Sequence, residues 1–279
     1  MPIPVLHSIH VHPVKALRGQ TPHEAVVEPW GPAGDRRWAI VDEVGRVVTQ
    51  REQPRLALAA AEALPHGGVR VSASGLEPLS VAVPEGVCTR TAVWAGEKIE
   101  TVPAGPEASE WFSTYLGADV SLVHLDDPAT RRPIDDPPHG RPGETVSLAD
   151  AYPLLLTTLA SLDALNSLIA QGDRPDEGPL PMNRFRPNAV VSGVAPWAED
   201  DWRRIAVGDV VFRVAKMCGR CVVTTTDQTT AQRGKEPLRT LGRHRRFGHR
   251  LAFGQYLVPQ TPGTIRIGDP VTVLESRAG

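Results

Sequence analysis

Apolar and polar positions alternate in short spans along the first hundred residues. IHVHPV, EAVVE, RRWAIVD, RVVTQ, VRVSA, LSVAV and TAVWAG are β-branched segments punctuated by Gly, Pro and Asp, a rhythm that predicts a meandering sheet or barrel. PEASEWFSTYLG breaks it, with Trp111, Phe112, Tyr115 and Leu116 at helical spacing, Pro106 near the start and Gly117 at the end. These signals predict an amphipathic helix. After the strand DVSLVHL, the stretch DDPATRRPIDDPPHGRPGETVS has no apolar period, which predicts a linker or binding loop. YPLLLTT then reads as a buried strand, and ASLDALNSLIAQ as a helix with Thr157, Thr158 and Ser161 as N-cap candidates. Strands resume with NAVVSG, RRIAVGD, VVFRVAKM, CVVTTTD, YLVPQ, TIRIGD and PVTVLE. Pattern alone therefore gives two β-rich units with a few helices, divided as residues 1–125, a connecting segment 126–144, and residues 145–279.

Composition adds limits. A chain of 279 residues accommodates two moderate cores. The net charge of −2 supplies no overall pull toward nucleic acid or an anionic membrane. No apolar run approaches the roughly 18 to 20 residues that span a bilayer, and MPIPVLHSIHVHPVK lacks the three regions of a signal peptide; a cytoplasmic protein is expected. The one basic run, RTLGRHRRFGHR, reads as a solvated loop, with docking of an acidic electron carrier as its sharper reading. The tryptophans, Trp94 among them, read first as packing residues. In HSIHVH, His10 and His12 share one strand face and His7 the other, a surface or packing pattern.

Three cysteines do not make a disulfide framework. Cys218 and Cys221 lie in KMCGRCVVTTTD, and only the distant Cys88 accompanies them. A structural zinc site needs four ligands, and a redox dithiol prefers a helix N-terminus, whereas VVTTT reads as strand. Two readings stay open: a thiolate at the start of that strand beside Arg220, suited to a transition metal, or two small buried hydrophobes.

Six blocks in order carry a resemblance: HPVKALRG; DRRWAIVD with VVTQREQPRL; VWAGE with EASEWFSTYLG; NRFRPNAVVSG with WAEDDW; CGRCVVTTTD with EPLRTL; and FGQYLVPQTPGTIRIGDPV. The chain resembles the MOSC-domain family with its N-terminal β-barrel domain, the group of the mitochondrial amidoxime-reducing component and bacterial relatives. The resemblance implies an N-terminal β-barrel-like domain and a C-terminal MOSC β-barrel. It further implies a molybdenum-pyranopterin cofactor, with Cys221 as the protein ligand to the metal and Cys218 as a lesser neighbour. Cofactor contacts carry over to Lys15, Arg36, Thr158, Arg186, Asn188, Gly219 and Arg220, and a catalytic or turn-shaping role to Asp227. Pyridoxal phosphate binding attaches to the family only at its broadest level. Ala16 and Gly219 stand where relatives often have Ser, which deletes two hydroxyls. The implied activity is reduction of small N-oxygenated compounds such as amidoximes, hydroxylamines and N-oxides. No cysteine cluster of ferredoxin type follows, so electrons are expected from a separate flavin, iron-sulfur or haem carrier. A cofactor or sulfur carrier without turnover is the rival reading, and nucleic-acid and membrane partners are not expected.

Overall fold

The computed structural model describes residues 3–86 and 90–277; Cys88 lies outside them. Its largest sheet has eight strands. The path runs Val5–Ile9, Ala189–Ser192, Leu154–Thr158, Arg250–Pro259, Val210–Gly219, Trp202–Val207 and Val271–Ser276, with Arg246–Phe247 paired to Arg250–Pro259 off the path. Its two ends meet: Val271 N donates to Pro4 O at 2.8 Å and Leu6 N to Asp269 O at 2.9 Å. The sheet thus curls into a barrel-like wall, which removes open edges. Inward residues of alternate register, among them Leu6, Ile9, Leu154, Leu156, Val191, Ile205, Phe212 and Leu257, fill one buried cluster. Each such side chain stabilises the fold by about 1.5–3 kcal/mol relative to exposure.

The other large unit holds a four-stranded sheet, in the order Trp38–Asp42, Val120–His124, Glu97–Pro103, Arg90–Trp94, and a three-stranded meander Ala60–Ala63, Val69–Ala73, Leu76–Val81. Helix α1, Pro106–Leu116, ends at Gly117 with φ 66°, the left-handed conformation glycine adopts freely. Its Ala108, Phe112, Tyr115 and Leu116 pack on Trp38, Leu122 and the meander. The expected division near residue 125 is crossed by the chain's first strands. Val5–Ile9 pairs with Ala189–Ser192, and Glu24–Glu28 with Gly263–Arg266. Pairing partners about 180 and about 240 residues away leave no local signal in the sequence.

Segment 126–144 is anchored. It contains the short α2, Pro128–Arg131, and Arg132 is buried with its guanidinium on Ser147 O and on Ala149 O at 2.6 Å. Arg213 clamps Glu144 bidentately, and Lys216 pairs with Asp136. Helix α3, Leu159–Ala170, is capped by Thr158, whose hydroxyl accepts from Ser161 N at 3.1 Å. The basic run is not a loop but α4, Leu238–His244, followed by the hairpin Arg246–Phe247 to Arg250–Pro259. Leu241 packs against Leu165 and Phe253, while Asp173 pairs with Arg239 and Arg243, and Asp200 with Arg245. Burying the leucine face outweighs repulsion among neutralised arginines. Among the described residues no helix is long and apolar enough to cross a membrane.

The expected strand CVVTTTD is also corrected. The strand ends at Gly219, and Val222–Thr225 forms a 3-10 turn with Cys221 at its N-cap. Thr224 and Thr225 donate their hydroxyls to Cys221 O and Val222 O, each at 2.8 Å. Local side-chain to main-chain bonds thereby override the β-propensity of threonine.

Candidate functional site

Two segments distant in sequence are locked side by side. Lys15 N donates to Trp38 O and Arg36 N to His12 O, both at 2.8 Å, so HPVK and DRRW present Lys15 and Arg36 from one ledge. Arg36 donates to Asp35 at 2.6 Å, to Asn188 Oδ1 at 3.1 Å and to Arg186 O at 3.1 Å. Asn188 also donates to His10 O at 3.1 Å and accepts from Leu155 N at 3.2 Å. Its amide joins the two halves of the chain. Ala16, Arg36 and Arg186 have φ of 73°, 48° and 52°, left-handed conformations that cost a side-chain-bearing residue about 1–3 kcal/mol each. All three line the same cleft.

That cleft has a volume of about 770 Å³ counting its open mouth. Lys15, Arg36, Arg51, Arg186 and Arg220 face it, with Asp150, Trp94, Tyr152, Tyr256, Leu155, Cys218, Gly219 and Cys221. Cys218 is buried, while Cys221 is partly exposed, and both line the cleft. The cation beside Cys221 is Arg51, whose guanidinium lies 3.6 Å from Sγ and packs over the Trp94 ring at 4.9 Å. Arg220, expected to serve Cys221, instead donates to Cys218 Sγ at 2.8 Å and to Phe185 O at 2.6 Å.

Lys15 Nζ binds Leu148 O at 2.9 Å and Asp150 Oδ1 at 2.5 Å, and sits 3.9 Å from the Trp94 ring centre. Burial pushes its ammonium down to about 8 despite the attraction of Asp150. Asp150 faces the cleft with its side chain 54 % exposed. Partial loss of solvent in the cleft works against the charged form, but Lys15 first, then Arg51 and Arg36, hold the carboxyl well below the usual range. Burial, reinforced by Arg36, pushes Arg186 down to about 9.

A cluster of five cations facing an acid and a thiol is electropositive, and it is incompletely bonded. Arg186 Nη2 and Arg220 Nε are buried without a hydrogen-bond partner, a costly arrangement that an anionic ligand would relieve. The donor set fits a group with an anionic phosphate and a metal that takes one soft thiolate. Among the described residues no three His, Cys, Asp or Glu side chains gather as metal ligands.

Lys15, Arg36, Arg186, Asn188, Gly219, Arg220 and Cys221 are thus brought to one cleft. Thr158 and Asp227 are not. Thr158 is fully buried, spent on capping α3 and on a hydroxyl cluster with Ser161 and the buried Glu199. Asp227 shapes a turn: it accepts from Thr229 N and Thr230 N at 2.9 Å and from Arg184 at 3.0 Å. Those bonds, that of the Thr229 hydroxyl foremost, hold its carboxyl well below the usual range. Arg51, Asp150, Trp94 and Tyr256 escaped sequence reasoning. Arg51 stands inside the quoted block VVTQREQPRL, and Trp94 inside VWAGE, so the blocks held the signal while the residue types alone did not.

The model of the MOSC N-terminal beta barrel domain matches residues 3–119, and that of the MOSC domain matches residues 143–272. The chain is 32% identical over 283 residues to mitochondrial amidoxime-reducing component 1 of Homo sapiens, spanning 95% of this chain and 81% of that protein. It is 31% identical over 277 residues to the molybdenum cofactor sulfurase of Danio rerio, spanning 92% of this chain and 32% of that protein.

Proposed function

The chain belongs to the MOSC-domain family, and from that premise we propose that it is a molybdenum-cofactor-dependent reductase of N-oxygenated compounds, supplied with electrons by a separate carrier protein. The observation that carries this reading is the partly exposed thiol of Cys221 in a cleft whose cations come from both halves of the chain and whose Arg186 and Arg220 retain unpartnered donors. Cys221 Sγ would be the protein's ligand to the metal. Lys15, Arg36 and Arg186 would bind the cofactor's phosphate, Asn188 holds Arg36 in place, and the exposed backbone at Gly219 offers its main chain where relatives have a hydroxyl. When bound, the cofactor supplies two-electron removal of oxygen from nitrogen; overall, an N-hydroxy compound, two electrons and two protons give the N–H compound and water. Lys15, near neutrality and hydrogen-bonded to Asp150, is suited to hold and release a proton at Nζ. Trp94, Tyr152, Leu155 and Tyr256 form walls that limit water.

Replacement of Cys221 by Ala is expected to remove metal and benzamidoxime reduction with a chemical reductant, while the melting temperature stays close to that of the parent, since the side chain is partly exposed. Turnover retained above a tenth of the parent's would refute the assignment. Likeness to a cofactor sulfurase over about a third of that protein's length favours one second reading, a cofactor or sulfur carrier without turnover. Stoichiometric molybdenum with no reduction of any N-hydroxylated compound would select it.

A further inference from the structure

Arg51 reaches the Cys221 thiol from the other half of the chain. It stands in the turn at residues 49–53, which Glu52 closes by accepting from Thr49 N at 3.0 Å and from the Thr49 hydroxyl at 2.8 Å. Two devices tie that turn to the segment that follows Cys221. Gln50 and Gln228 form a reciprocal amide pair, with Gln228 Nε2 donating to Gln50 Oε1 at 3.0 Å and Gln50 Nε2 to Gln228 Oε1 at 3.3 Å. Their other amide hydrogens go to Thr226 O at 3.0 Å and to Ala16 O at 2.6 Å. Both glutamines are buried, so displacing the turn leaves two carboxamides without partners. Arg233 adds a clamp, donating to Arg51 O at 2.7 Å and to Gln50 O. The tether also decides between two anions. Asp150 faces the same cleft and feels the Arg51 charge, yet the guanidinium stands 3.6 Å from Cys221 Sγ, backed by the Trp94 ring at 4.9 Å.

We propose that Arg51 is a catalytic residue that donates to the sulfur holding the metal, and that the Gln50–Gln228 pair and Arg233 are positioning residues that keep it there. The proposal rests on the reductase reading and deepens it by naming what tunes the metal's thiolate. A cation hydrogen-bonded to a ligand sulfur draws electron density from it, which raises the reduction potential of the metal and eases its reduction. Donor and sulfur come from different halves of the chain, so the tuning depends on how those halves meet.

The test first reads Arg51 without cofactor or turnover. In cofactor-free protein Cys221 is alkylated at one pH with iodoacetate and with iodoacetamide, and its modification is followed by peptide mass spectrometry; the ratio of the two rates cancels the thiolate fraction and leaves the local charge. Arg51→Met is expected to lower that ratio about fivefold, the effect of a charge pair a few ångströms apart in water. Gln228→Leu, and Arg233→Met at an exposed position, should each lower it about two- to threefold by releasing the turn, and salt should shrink every difference. In the double variant Arg51→Met/Gln228→Leu the ratio should equal that of Arg51→Met alone. In the loaded enzyme, kcat for benzamidoxime with a chemical reductant should fall at least about tenfold in Arg51→Met and about threefold in the two tether variants, with KM and molybdenum content within about twofold of the parent. The metal's midpoint potential, read by electron paramagnetic resonance, should move down in all three. A ratio unchanged by Arg51→Met overturns the contact, whether or not the enzyme turns over, and an unchanged kcat and potential in that variant overturn its catalytic role. A ratio that neither tether variant moves, or that Gln228→Leu lowers equally with and without Arg51, overturns the positioning role, because a merely structural residue acts in both backgrounds. The expected ratios in a protein that holds molybdenum and reduces nothing support the geometry and overturn the reductase reading alone.

Discussion

Arg186 is the side chain whose removal most directly separates function from stability. Its guanidinium is pushed down to about 9 by burial and by Arg36, from an ordinary value above about 12. At neutral pH that displacement corresponds to at most roughly 5 kcal/mol of unfavourable charge in the folded protein. The guanidinium makes no hydrogen bond among the described residues, and its Nη2 is buried. Allowing for reorientation toward the cleft mouth, Arg186→Met should stabilise the cofactor-free protein by about 2 kcal/mol, or roughly 3 °C in Tm for a chain of this length. Methionine inherits the left-handed backbone at φ 52° and so adds little new strain. Because the guanidinium stays charged in the folded and the unfolded chain, the advantage of the methionine variant should be constant from about pH 6 to 8.5. Urea melts of protein made in a host lacking the cofactor measure it, and metal analysis after expression in a competent host should show loss of molybdenum. A variant less stable than the parent by more than about 1 kcal/mol would refute the reasoning, because Arg186 would then be a structural residue.

Other consequences are measurable in the same way. With Lys15 pushed down to about 8, the affinity of the cofactor-free protein for inorganic pyrophosphate should fall by as much as about tenfold per pH unit above that point, whereas Lys15→Arg should hold its affinity to pH 9.5. Calorimetry across pH 7–10 reads both, and a flat parent profile would remove Lys15 from the anion site. Thr158→Val, which strips the α3 cap, should cost about 1 kcal/mol and leave metal content intact; Asp227→Ala should cost about 1–3 kcal/mol through its turn and Arg184, again with metal retained. Metal loss without loss of stability in either variant would return that residue to the cofactor.

The fold's local features were legible because each had a local cause. Helix α1 announced itself by Pro106, Gly117 and four apolar residues on one face, and the strand Leu154–Thr158 by its run of three leucines before two β-branched threonines. Features fixed by distant partners were not. Nothing near Val5–Ile9 says that it pairs with Ala189–Ser192, and the arginines of the basic run masked Leu241 and, just before the run, Leu238 at helical spacing. Of the residues carried over by the resemblance, Lys15, Arg36, Arg186, Asn188 and Cys221 line one cleft, whereas the Thr158 hydroxyl caps a helix end. Arg51, Asp150 and Trp94 are ordinary residue types, and only their convergence around Cys221 and Lys15 marks them.

The same convergence explains why so costly an arrangement persists. Lys15 and Arg36 come from one end of the chain, Arg186 and Arg220 from the other, and Arg51 from a turn between. Their mutual repulsion tends to open the cleft, and it is resisted by a few neutral joints, chiefly the Asn188 amide bonded to Arg36, His10 O and Leu155 N. Left-handed backbone at Ala16, Arg36 and Arg186 adds strain in the same place. Strain and unpaired charge of this kind survive when the surrounding structure, or a bound anion, over-determines them. An anion seated among these cations would reverse the sign of the largest unfavourable term, so its binding would stabilise the joint between the two halves. The thiol is prepared for that binding by its own main chain: the strand Val210–Gly219 stops, the threonine hydroxyls close the 3-10 turn, and Cys221 is left facing the cleft while Cys218, three residues earlier, stays buried.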